Sequence, residues 1–168
     1  MSKTNFITRT AILLALTLVF QMLRQFIPMS NILSIFIVGT LVNACLVVSA
    51  KMVGLLGGLI ISVVAPIVAF LQGHLKFIWM VPVVAIGNAI LVSVFALFKN
   101  DYFALIVGAL TKFVFLFLSV TVLLKYIKIP AAAAKLMSFS FSWPQLVTAL
   151  LGGIIALAVW NLLKKNYR

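Results

Sequence analysis

Acidic side chains are almost missing from this 168-residue sequence. Asp101 stands alone against 13 lysines and arginines, giving a formal net charge of +12. One carboxylate excludes chemistry that needs two, as in glycoside hydrolysis or an aspartic dyad. It also excludes a two-metal centre. Histidine and cysteine are equally scarce, with only His74 and Cys45. They cannot assemble a zinc site of the usual ligand count, and no disulfide can form within the chain. No GxxxxGK[ST] phosphate loop is present, so ATP is not hydrolysed through that motif. The expectation is therefore a protein without catalytic residues, metal or cofactor. Nucleic acid is a poor partner too, because the basic residues are scattered between apolar segments rather than gathered into a stripe.

Apolar side chains fill the rest. They make up 65% of the chain, against 8% charged, and the mean hydropathy is +1.33. A soluble domain is nearer half apolar and a quarter charged, so the surrounding solvent is lipid. A membrane-spanning helix needs about 20 apolar residues. Six stretches fit, at roughly 6–27, 32–50, 52–71, 77–98, 102–124 and 143–163. The fold class expected is all-α, a single six-helix transmembrane domain over 1–168. Short loops make consecutive helices antiparallel neighbours. Residues 125–142 are the exception: Pro130 followed by four alanines reads as a short helix with proline at its first position, lying at the membrane surface over a pocket.

An even number of spans places both termini on one side. That side receives Lys3, Arg9, Lys51, Lys99, Lys164, Lys165 and Arg168, and the other receives Arg24, Lys76, Lys125, Lys128 and Lys135. Seven against five favours cytoplasmic termini. Small residues recur at four-residue spacing: Ala11 and Ala15 in the first span, Gly54, Gly58 and Ser62 in the third, and Ala149, Gly152, Gly153 and Ala156 in the last. Such spacing lets helices approach closely. For the third and last spans the reading is packing within the bundle. For Ala11 and Ala15 an internal seam and a docking surface for another membrane protein are equally open. Pro66 and Pro82 fall inside the third and fourth spans, where proline removes a backbone hydrogen bond and kinks the helix.

Polar residues at membrane depth mark candidate sites. Lys112 lies midway along the fifth span, where a lysine costs about 2.5–3.5 kcal/mol. It is therefore expected to face the bundle interior, turned to a ligand or cavity, with Ser119 on the same face; the alternatives are a structural lysine bonded to carbonyls or one that snorkels. Asn88, after Gly87 in the fourth span, either bonds across helices or lines a solute site. Gln145, Thr148 and Gly152 form a recessed stripe in the last span. Trp143 and Trp79 sit near the same interface, as an aromatic belt or as stacking surfaces for a ring. Arg24 ends the first span beside Gln21 and Gln25, and His74 lies with Gln72 and Lys76 in the loop after the third. These groups gather toward one end, where a small solute enters and binds.

Intramembrane acids, the usual basis of proton or sodium coupling, are missing, so a solute pocket here depends on a partner for energy. At this point the residues resemble a known family. Ala11-x-x-x-Ala15, the third-span segment GLLGGLIIS, PVVAIGN at 82–88 and QLVTALLGGIIA at 145–156 are similar to the substrate-binding S components of energy-coupling factor (ECF) vitamin transporters, a kind of ABC importer in bacterial cell membranes. The resemblance covers nearly the whole chain. It implies a multi-pass subunit that captures a vitamin or vitamin precursor at the outer face. Ala11 and Ala15 would dock on a transmembrane coupling subunit, and two cytoplasmic ATPases would supply energy. It also implies a site built by the last three spans and the loops after the first and third, and toppling of the subunit in the bilayer to deliver the ligand. It does not fix the substrate. The scarcity of acids argues against a cation such as thiamine, leaving a neutral or anionic ligand, with a pantothenate-like carboxylate as one expectation and a neutral ring stacked on Trp79, Trp143 or Phe141 as another. Two further readings stand beside it: a self-sufficient facilitator or secondary transporter, and a structural subunit without ligand.

Overall fold

The computed structural model describes residues 2–26 and 30–166, and the regular structure among them is entirely helical. Seven helices follow in order: α1 (Lys3–Phe26), α2 (Asn31–Met52), α3 (Leu55–Leu71), α4 (Met80–Leu97), α5 (Asp101–Tyr126), α6 (Ala131–Ser140) and α7 (Trp143–Asn166). Five of the helical segments, containing α1, α2, α4, α5 and α7, are long and apolar enough to cross a membrane, and α3 is a shorter apolar helix of 17 residues. The expected end of the first span at Ile27, and Arg168 of the charge count, lie outside the described residues.

Helix α2 is the axis of the bundle, packing against α1, α3, α4 and α7. Its residues from Asn43 to Ala50 are all buried, as expected of a helix apolar on every side. By contrast α1 buries one stripe, Thr10, Leu13, Thr17 and Gln21, at helical spacing, and turns Ala11 and Ala15 outward beside exposed Ile12, Leu16 and Val19. Gly58 and Ser62 of α3 and the small residues Ala149, Gly152, Gly153 and Ala156 of α7 face inward, whereas Gly54, expected to pack with them, precedes α3 and has open space where a Cβ would stand. Gly58 meets Val92 of α4, and Gly152 meets the α2 backbone. Lipid offers no hydrophobic drive for helix pairing, so this close approach is what holds the helices together.

Helix ends follow local chemistry. The Ser30 side chain caps α2 and the Asn100 side chain caps α5 through Tyr102 and Phe103. Gly54 (φ +92°) stops the chain from running straight from α2 into α3, so α3 starts later than the apolar run suggests. The end of α3 closes in a Schellman turn, with His74 N–H donating to Ala69 O and Gly73 N–H to Phe70 O. Gly73 adopts φ +76°, where a Cβ costs about 1–2 kcal/mol. The turns that follow delay α4 to Met80, so Pro82 falls in its first turn rather than mid-helix. There its missing N–H has no intrahelical partner to lose, and the expected kink has no cause. Pro66 does lie inside α3. Pro130 is the N-cap of α6 rather than its first residue.

The only acid in the chain is taken. Asp101, in the first turn of α5, pairs with Lys51 at the end of α2, and the Lys51 ammonium also lies 5.8 Å from the Phe95 ring centroid. This ion pair sits at the end of the bundle opposite the cavity described next.

Candidate solute-binding cavity

A cavity of about 420 Å³ opens among the ends of α1 and α3, the starts of α2, α4 and α7, helix α6 and the 72–79 turn. That volume lies within the range of ligand sites, roughly 300–1,000 Å³. Lys112 closes it from below at mid-depth. The side chain is buried, and its Nζ donates to Asn43 Oδ1 of α2 at 2.6 Å and to Asn88 Oδ1 of α4 at 2.8 Å. Lysine is a donor only, so both amides must present oxygens to it. The Asn43 amide nitrogen then donates to Thr148 Oγ1 at 3.3 Å, and the Thr148 hydroxyl donates to Gln145 O at 3.2 Å. One polar chain thus ties α2, α4, α5 and α7 around the floor.

The walls are apolar. Val38, Val42, Met80, Val84, Leu136 and Phe141 line them, and α6 closes one side, tied to α7 by Gln145 Nε2 donating to Ser140 O at 3.0 Å. The rim is polar and cationic, with Gln21, Arg24, Ser34, His74 and Lys76. Gln21 Nε2 donates to Ala65 O at 3.2 Å. Four buried rim atoms have no hydrogen-bond partner among the described residues: Gln21 Oε1, Arg24 Nε, Ser34 Oγ and His74 Nε2.

Burial, and then the positive Arg24 nearby, push the His74 imidazole below its ordinary pKa of 6.5, against the opposing effect of a hydrogen bond that the ring donates to the Gln21 backbone carbonyl. The unfolded chain takes up a proton through that ordinary range while the folded chain resists, so acid favours unfolding. The thermal midpoint in detergent is expected to fall as pH drops below 6.5, and His74→Gln to flatten the slope. An unchanged slope in the variant would assign the acid sensitivity elsewhere.

Of the residues singled out in the sequence, Arg24, His74, Asn88, Lys112 and Gln145 meet at this cavity. Thr148 lies just beneath it, fully buried in the floor network. The tryptophans do not line it. Trp79 stacks on Phe77 with ring centroids 5.3 Å apart, and Trp143, 51% exposed, packs against Phe36 and Phe139. Ser119 shares a helix face with Lys112 but does not reach the cavity. Sequence reasoning overlooked Asn43, the closest partner of Lys112, and Ser34. Asn43 carried the same signal as Asn88, a lone amide in an apolar span. Phe141, offered as a stacking surface, is in the wall. Comparison with family models, with curated proteins and with solved structures yields no match to this chain.

Proposed function

We propose that this chain is the membrane-embedded solute-capture subunit of an ECF-type importer, taking a small vitamin or vitamin precursor from the outer face. In this reading α1, α2, α3, α4, α5 and α7 span the bilayer and both termini are cytoplasmic. At about 1.5 Å per residue, α3 reaches roughly 25 Å, the short end of a spanning helix. The observation that carries the reading is a cavity with a polar floor and rim that is backed by packed apolar core. Below Lys112 the bundle is filled by Leu46, Val47, Leu91, Val92 and Phe95, each no more than 1% exposed. A conduit would need that packed core to part. A subunit that turns as a body against a partner would not.

Ala11 and Ala15, outward on α1, are the docking surface for the coupling subunit, with paired ATPases as the energy source. The isolated protein is expected to bind solute but to give no flux in proteoliposomes, and uptake is expected only when the coupling subunit and ATPases are co-expressed. Replacing Ala11 and Ala15 by Leu should cut uptake at least tenfold while leaving binding by the purified protein unchanged. ATP-independent flux by this chain alone would favour the self-sufficient facilitator instead.

A further inference from the structure

We propose that the cavity takes an elongated solute whose carboxylate sits on Lys112 and whose far end carries a hydroxyl or amide held at the Gln21–Ser34 rim. The proposal rests on the solute-capture reading above and adds the chemistry of the ligand. Its first support is the charge balance of the floor. Lys112 is 3% exposed and meets only the neutral oxygens of Asn43 and Asn88. An ammonium has three donors, so one remains for the cavity that the side chain lines. A buried charge is costly unless paired. The one acid of the chain, Asp101, is bound to Lys51 at the opposite end. A ligand carboxylate supplies the missing counter-charge and accepts the third N–H.

The second support is independent and lies at the rim. Gln21 and Ser34 are each only 7% exposed, line the cavity, and carry an unpartnered atom, Oε1 and Oγ respectively. Arg24 Nε adds an unpartnered donor beside them. An amide oxygen wants a donor, whereas a guanidinium wants an acceptor and a serine hydroxyl takes either. A hydroxyl or amide satisfies that mixture. A second bare carboxylate would leave the glutamine oxygen unmet. Spacing along α2 separates the two ends. Ser34 and Asn43 are nine residues apart on α2, roughly 13 Å along its axis. With the two ends on different turns of α2, a ligand that reaches both must be elongated rather than compact. The apolar wall residues Val38 and Val84 cover the stretch between.

The test uses the full chain in detergent, with thermal unfolding as the readout and the low-molecular-weight filtrate of a rich growth medium as the probe. Binding raises the midpoint by mass action. The whole filtrate should raise it, and filtrate stripped of carboxylates on an anion exchanger should not. The material eluted from the exchanger should restore the shift and lose it again after methyl esterification. Lys112→Met should lower the affinity for that eluate by roughly thirtyfold or more, and Ser34→Ala and Gln21→Leu by about three- to tenfold, with size-exclusion profiles like the wild type. Should Lys112→Met not fold, the exchanger arms on the wild type still decide. Stabilisation that survives in the stripped filtrate overturns the carboxylate while leaving solute capture standing. A filtrate without effect in any form overturns solute capture itself, and this proposal with it. Full affinity in both rim variants overturns the two-ended ligand.

Discussion

Replacing Lys112, Asn43 and Asn88 together by Met, Leu and Leu is expected to raise the thermal stability of the bundle while ending solute binding. The three polar groups bond to one another, at 2.6 and 2.8 Å, but taking an ammonium out of water costs several kcal/mol that neutral amide oxygens only partly return. Buried polar constellations replaced by apolar side chains of similar shape often gain about 1–4 kcal/mol, and leucine has the branching of asparagine. Thr148 loses its donor from Asn43 but keeps its own bond to Gln145 O. The single variants should behave oppositely. Asn43→Leu or Asn88→Leu strips one acceptor from a buried charge and should cost about 1.5–3 kcal/mol. The measurement is the melting midpoint of all four proteins in one detergent. A triple variant less stable than either asparagine variant would mean that the constellation holds the bundle together rather than serving the cavity.

The second large effect is a contrast between neighbours. At Gly152 an added Cβ would lie 2.6 Å from Thr40 O, 2.7 Å from Asn43 Cβ and 2.9 Å from Ala44 N. Two of those atoms are α2 backbone, which no rotamer change can move. At Gly153 the Cβ would meet Leu105 Cδ1, the far end of a side chain that can swing aside. Gly152→Ala should therefore cost about 1–3 kcal/mol or more and Gly153→Ala clearly less, although the two changes are chemically identical. Gly152→Ala also pushes directly on Asn43, so solute affinity should fall with stability. Equal melting midpoints for the two variants would contradict the tight α2–α7 seam.

These contrasts mark how much of the site the sequence carried. Lys112 was legible because a lysine in the middle of an apolar span has no inexpensive place but the interior. Its surroundings were not. Asn43 lies 69 positions away and Asn88 lies 24, and spacing along one helix says nothing about which faces of other helices it meets. The rim was partly legible, since Arg24 and His74 end neighbouring apolar runs. The closure of α3 that directs His74 inward depends on a left-handed Gly73, which hydropathy does not register. The tryptophans illustrate the reverse. Their place near an interface follows from composition, but whether they face inward is decided by Phe77, Phe36 and Phe139. The apolar runs marked the spans well and their ends poorly, because Gly54 and the 72–79 turn interrupt segments that are continuous in hydropathy.

The pairing of Asp101 with Lys51 at the closed end has a kinetic consequence. The one carboxylate side chain that could oppose Arg24 and Lys76 at the mouth is spent on the far side of the bundle, so the charged side chains that line the entrance are cationic. Their field draws anions toward an opening and speeds encounter, and it is screened within about 8 Å at physiological ionic strength. For the carboxylate ligand proposed above, added salt would then slow arrival while leaving departure from the buried Lys112 floor nearly unchanged.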